Sequence, residues 1–201
     1  MKITHSAQRF AFVLALVAGL CSGVVAQGKM ASPATGFIAE YSAQVSQIQK
    51  QIMDLEAAVP QEKFEWRPAA GVRSIGEVYL HIAFGNYFVL KLAGFEPPAD
   101  VNFVADLKKW DGQSNDKAKI ASIMKRSFEH VHATAAKVSS ADLEKQVNLF
   151  GNEMSLRAAL MSSLSHLHEH LGQSIAYARM NGIVPPWTAA EQKAEAEKMK
   201  K

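Results

Sequence analysis

Along four stretches of the chain, apolar residues recur every three or four positions, the spacing of one buried face on an α-helix. Phe37, Ile38, Tyr41, Val45, Ile48, Ile52 and Leu55 predict a first helix over Phe37 to Ala58, ended by Pro60. A second opens at Ser74-Ile75-Gly76-Glu77, a capping-box pattern. Its stripe is Ile75, Val78, Tyr79, Ile82, Val89, Leu90 and Ala93, and Gly94 with Pro97-Pro98 stops it. A third runs from about Asp116 to Val138, with Ile120, Ile123, Met124, Phe128, Val131 and Ala135 on its face. The fourth begins near Ser155 and reaches Asn181, where Gly182 and then Pro185-Pro186 give the expected C-terminal punctuation.

The joints are equally informative. About twenty residues, Phe95 to Asn115, link helices two and three and contain Trp110 and the turn-like Asp111-Gly112. Val147 to Met154 is a short apolar stretch around Gly151-Asn152, read as a hairpin or loop. No internal repeat, no Gly-rich phosphate loop and no strand alternation long enough for a sheet is present. The pattern therefore predicts an all-α protein, an antiparallel four-helix bundle with a long crossover between helices two and three. The domain spans 34–186, and the Ala-, Glu- and Lys-rich residues 187–201 form a charged tail, a frayed surface helix or a disordered one.

The N-terminus follows a different pattern. Lys2 and Arg9 precede an eleven-residue apolar run, Phe10 to Leu20, and Val24-Val25-Ala26 supplies small residues before Gln27. These are the parts of a secretory signal peptide over 1–26, and they predict a periplasmic or secreted protein. Eleven helical residues span only ~16 Å, about half a bilayer core, so no stable membrane insertion is expected after cleavage. Leu20 before Cys21 does not suit a lipidation site, where a small residue precedes the cysteine. Since Cys21 is the only cysteine, the cleaved protein has no disulfide, thiol nucleophile or Cys-ligated metal.

Composition narrows the function classes. Of 201 residues, 48% are hydrophobic and 20% charged, an ordinary globular balance, and the mean hydropathy of -0.05 excludes a multispanning membrane protein. The net charge of +3 falls to +1 once Lys2 and Arg9 leave with the signal. Nothing in it predicts nucleic-acid binding, which needs a clustered basic face.

The candidate chemistry lies in histidine. Helix four contains His166-Leu-His-Glu-His170. At 100° per residue, His166 and His170 lie ~40° apart on the helix surface, whereas His168 points away from both. Two imidazoles one turn apart make a half-site for a divalent transition metal. His81, in the middle of helix two with Gly85 one turn on to leave space, is the natural third ligand. Three His ligands leave a position open for water or substrate. A His beside an apolar face is also commonly a hydrogen-bonded structural residue. His130 and His132, two apart on helix three, cannot share an ion and are expected in solvent. His166-x-x-Glu169-His170 also matches the H-x-x-E-H of inverted zinc peptidases, but this chain has no room for their sheet-containing scaffold. Glu169 points toward solvent. Trp66, Trp110 and Tyr177 read as core before pocket.

Phe64-Glu-Trp-Arg-Pro68, Arg73-Ser-Ile-Gly-Glu-Val-Tyr-Leu-His-Ile-Ala83 and His166-Leu-His-Glu-His-Leu-Gly-Gln173, continuing into Tyr177-Ala-Arg-Met-Asn-Gly-Ile-Val-Pro-Pro186, resemble the DinB-like family of four-helix metalloenzymes. The resemblance covers roughly Ala34 to Pro186. It implies a divalent-metal site of His81, His166 and His170, a non-sequential helix order and, in many members, a homodimer. It also implies metal-dependent chemistry on small molecules, among them low-molecular-weight thiols such as bacillithiol or mycothiol. Export would remove this chain from the cytoplasm where those thiols are kept reduced. The expected function is thus a metal-dependent enzyme activating water or a thiol for transfer or hydrolysis, with an unidentified small-molecule substrate. The alternatives are a non-catalytic extracytoplasmic module for a metal or small ligand, and a metal-free helical interaction protein. Three imidazoles suit zinc or nickel first, then iron or manganese.

Overall fold

The computed structural model describes residues 36–200; the expected signal peptide, Cys21 included, lies outside the described residues. Helix α1 (Phe37–Ala58) buries Tyr41, Val45, Ile48, Ile52 and Leu55, the stripe its spacing predicts. Helix α2 (Ile75–Leu92) starts with both capping-box bonds in place. Ser74 Oγ accepts from the Glu77 N–H, and the Glu77 carboxylate accepts from the Ser74 N–H at 2.7 Å. Helices α4 (Lys117–Ala135) and α5 (Leu156–Met180) complete the bundle, capped at their N-termini by Asp116 and Ser155. Helix α4 stops a turn short of the expected Val138.

Helices α2 and α5 end in the same way. Gly94 and Gly182 take positive φ (93° and 72°), and the amides around each reach back to the last turn of the helix. Phe95 N–H donates to Leu90 C=O, and Ile183 N–H to Ala178 C=O, the outer bonds of two Schellman motifs.

In cross-section the neighbours run α1, α5, α2, α4 and back to α1, so consecutive long helices are diagonal except for α2 and α4. Contacts fix the directions. Gly76 lies against Ile120, Asn86 donates to Ser127 Oγ, and Tyr87 packs on His130, so α2 and α4 run parallel. Phe37 meets Arg157 and Tyr41 meets Ser163, so α1 and α5 are parallel too. Lys117 donates to Ala57 C=O while His132 pairs with Gln49, which makes α1 and α4 antiparallel. The expected crossover between the second and third long helices is present, and the expected antiparallel arrangement is corrected for the α2–α4 and α1–α5 pairs. Each long helix has one parallel and one antiparallel neighbour, because a stripe of apolar residues specifies a buried face but not its partner.

Parallel neighbours need a connection that returns along the bundle, and the α2–α4 link does this. Within the expected link of about twenty residues it carries a five-residue helix, α3 (Leu107–Asp111), that the sequence pattern does not mark. Phe103 and Trp110 lay the link on α2, and Trp110 Nε1–H donates to Leu80 C=O at 2.7 Å. This covers the outer side of α2, which is why 13 of its 18 residues are buried.

Between α4 and α5, β1 (Gln146–Leu149) and β2 (Asn152–Ser155) pair antiparallel, Leu149 opposite Asn152. The hairpin turns at Phe150-Gly151, both with positive φ, as type I′ turns require. Helix α6 (Pro186–Lys198) is mostly exposed and rests its Trp187 on the core. His130, expected in solvent, is 8% exposed because Tyr87 of the parallel neighbour covers it, with ring centroids 5.4 Å apart. His132 is half-buried and 2.7 Å from Gln49 Oε1. No described helix is long and apolar enough to cross a membrane.

Candidate metal centre

The antiparallel seam between α2 and α5 brings His81 opposite His166 and His170. One potential ligand atom from each ring lies within 4.8 Å of the other two. His81 Nε2 and His166 Nε2 are 3.3 Å apart. Two nitrogens on a tetrahedral zinc at 2.0–2.1 Å would be separated by about 3.3–3.4 Å. The ring centroids are 5.1, 4.6 and 4.5 Å apart, with the planes steeply tilted to one another, so the edges converge without stacking.

Gly85 makes the convergence sterically feasible. It sits one turn beyond His81, and the His166 ring lies over it. A Cβ added at Gly85 would be 2.2 Å from His166 Cε1 and 2.6 Å from Nδ1. No L side chain fits there while the ring stays in place.

Each ring has a different support. His170 Nδ1 is 2.8 Å from Gln173 Oε1, which can only accept, so Nδ1 carries a proton and Nε2 is the ring nitrogen left to face a metal. Gln173 in turn donates to the Tyr177 hydroxyl at 3.1 Å. These residues are one turn apart on α5, so one helix face supplies the whole relay. His81 Nδ1 faces Asp111 Oδ1 at 3.9 Å, and both buried atoms lack a hydrogen-bond partner. Arg73 Nε holds the other oxygen of Asp111 at 2.7 Å. Asp111 was missed as a site residue in the sequence because it lies in the crossover. Only the fold brings position 111 beside position 81, although Asp111-Gly112 had marked a turn.

Electrostatics keeps two of the three rings, His81 and His166, neutral. Burial first, then the Arg73 guanidinium and the two neighbouring rings, depress the His81 pKa to about 3. Burial, then His170 and Arg73, depress His166 to about 4. Burial raises the Asp111 carboxyl against the pull of Arg73. Neutral imidazoles are what a cation needs as ligands. The donor set, its spacing and the Gly85 cradle all fit one transition-metal ion.

The remaining candidates stay apart from the cluster. His168 is exposed and its Nδ1 is 3.0 Å from Leu164 C=O, and Glu169 is exposed. Trp110 is core, while Trp66 packs edge-on against Tyr177 at 5.6 Å.

Fold and cluster together define a four-helix protein of non-sequential order with three converging histidines able to hold a metal. The DinB superfamily model matches residues 44–174, and the chain belongs to that superfamily. Among solved structures, a DinB-like protein from Bacillus cereus is 19% identical with a TM-score of 0.63, over 73% of this chain and 93% of that one. YfiT from Bacillus subtilis, described as a probable metal-dependent hydrolase with an unusual four-helix bundle topology, is 12% identical with a TM-score of 0.59. That match covers 76% of this chain and 94% of YfiT. At these identities the likeness concerns the fold. No curated protein matches the chain.

Proposed function

We propose that His81, His166 and His170 hold one divalent transition metal, zinc or nickel before iron or manganese, in an exported metal-dependent hydrolase or transferase acting on a small molecule. The observation that carries this reading is the 3.3 Å approach of two Nε2 atoms across a seam that Gly85 keeps clear. An ion held there would act as a Lewis acid toward water or a thiol.

The chain's own residues prepare that chemistry. Gln173 fixes the His170 tautomer, with Tyr177 behind it. Asp111, anchored by Arg73, faces the Nδ1 of His81 and orients that ring once the ring turns to it. Cys21 lies in the expected signal segment and is the only cysteine, so a thiol nucleophile would have to come with the substrate. Export favours water over cytoplasmic thiols as the attacking group. The YfiT description supports hydrolysis in the same way.

The test is elemental analysis of the protein purified without a tag, beside the His166→Ala/His170→Ala variant. About one equivalent of metal in the first and none in a folded second is expected. A metal-free protein that takes up neither zinc nor nickel on reconstitution would overturn the reading. Tight metal with no turnover on an ester and thioester panel would favour the non-catalytic binding module.

A further inference from the structure

A cavity of about 380 Å³ opens directly on the His81 and His166 rings. Its walls are apolar: Phe84, Phe88 and Val89 from α2, Leu107 from the crossover, and Phe150 from the hairpin tip. The cavity on the other side of the cluster is different, lined by Arg67, Arg73, Asp111 and Gln173. There Arg67 is paired with Glu77, Arg73 with one oxygen of Asp111, and Gln173 with His170. The volume of the apolar cavity is near the lower end of the roughly 300–1,000 Å³ of small-ligand pockets.

Phe150 carries the argument furthest. It is the one non-glycine with positive φ among the described residues, at 54°, and its side chain is in the hairpin turn. A bulky residue is strained in that backbone conformation, where Asn or Gly is usual. Phe150 is also 64% exposed, so core packing does not account for it. What the position achieves is a ring 5.9 Å from Phe88, which itself lies 4.9 Å from Phe84, and Phe84 is stacked beside His81. An aromatic wall thus runs from solvent down to the histidines. Strain and apolar exposure accepted together at the mouth of a cavity point to a ligand.

We propose that this cavity seats an aromatic or branched aliphatic group of the substrate, with the substrate's polar, reacting end against the histidine cluster. The inference rests on the metal-site reading and adds the substrate class to it. Ser162, exposed on α5 one turn before His166, forms the opposite lip.

Two hydroxamates that share a metal-binding head test it, since neither requires turnover. Benzohydroxamate and acetohydroxamate are titrated calorimetrically into the zinc-loaded full chain, its Phe150→Gly variant and its Ser162→Trp variant. Glycine suits the positive φ, and position 162 faces solvent, so both variants keep the fold. That is checked by thermal melting. Burial of a phenyl ring is expected to make benzohydroxamate at least 10-fold tighter in the parent. Most of that advantage should vanish in Ser162→Trp and at least half in Phe150→Gly, with acetohydroxamate unchanged. Equal affinities in the parent, or an advantage that survives both variants, would overturn the apolar subsite and leave the metal site standing. If the protein takes up no zinc on reconstitution, the metal reading fails and takes this inference with it; a zinc-loaded protein that binds neither hydroxamate overturns the subsite alone.

Discussion

Replacing Gly85 by Ala separates the metal centre from the fold. The new Cβ would lie 2.2 Å from His166 Cε1, while ordinary contacts begin at 3.4 Å, so the ring must retreat by at least about 1.2 Å. Metal–ligand distances tolerate about 0.2 Å, so His166 cannot stay in the coordination sphere. Disturbing residues that merely support a ligand costs 10–100-fold in metal affinity, so losing a ligand should cost at least about 100-fold, or ~2.7 kcal/mol. The fold should not suffer. Gly85 is inside α2, where Ala is favoured over Gly by roughly 0.5–1 kcal/mol, and the cavity beside His166 gives the displaced ring room. In chelator the melting temperature of Gly85→Ala should equal the parent's or exceed it by about 1–4 °C. Zinc affinity is read by competition with a chromophoric chelator at neutral pH. Unchanged affinity in a folded variant would refute the placement of His166 over Gly85. A fall of more than 10 °C without metal would refute the claim that Gly85 serves the site and not the core.

Two further outcomes are expected. Asp111→Asn keeps the size of the side chain but removes the carboxylate that faces His81, so zinc affinity should drop about 10-fold with little change in melting; an unaltered affinity would remove Asp111 from the site. The metal-free protein should lose stability as pH falls from about 6.5 toward 4. His81 and His166, held near 3 and 4 in the fold, regain their ordinary pKa on unfolding, so in this window the unfolded chain binds more protons. Above pH 6.5 neither contributes. Melting curves at pH 7.5, 6 and 5 should be flatter in His81→Gln/His166→Gln than in the parent, and parallel curves would contradict the depressed values.

The helices, their caps and the three histidines were legible because each depends on local spacing. The stripes of α1 and α5 and the Ser74–Glu77 box need only the nearest turns, and Gly85 stood one turn from His81 in the sequence as in the fold. What spacing could not supply was which helix faces which. The same stripe on α4 serves a parallel or an antiparallel neighbour, so a non-sequential order could come only from the family resemblance, and the burial of His130 under Tyr87 emerged only with the fold. Five-residue α3 was hidden because one and a half turns carry no periodicity, and Asp111 with it. Phe150 was passed over in the hairpin, since a turn pattern of Phe-Gly signals its glycine and not the strained residue before it.

The returning crossover also constrains how the chain reaches its native state. A bundle of sequential hairpins can close one short loop at a time, but here the earliest long-helix pairing, Asn86 with Ser127, already spans 41 residues. His81 with His166 spans 85, and Tyr41 with Ser163 spans 122. Each closure must be met with chain entropy before its contacts form. These separations are long for a helical bundle, and folding slower than that of a bundle of sequential hairpins is expected. The α2–α5 seam, and the histidines it aligns, would then form among the last events.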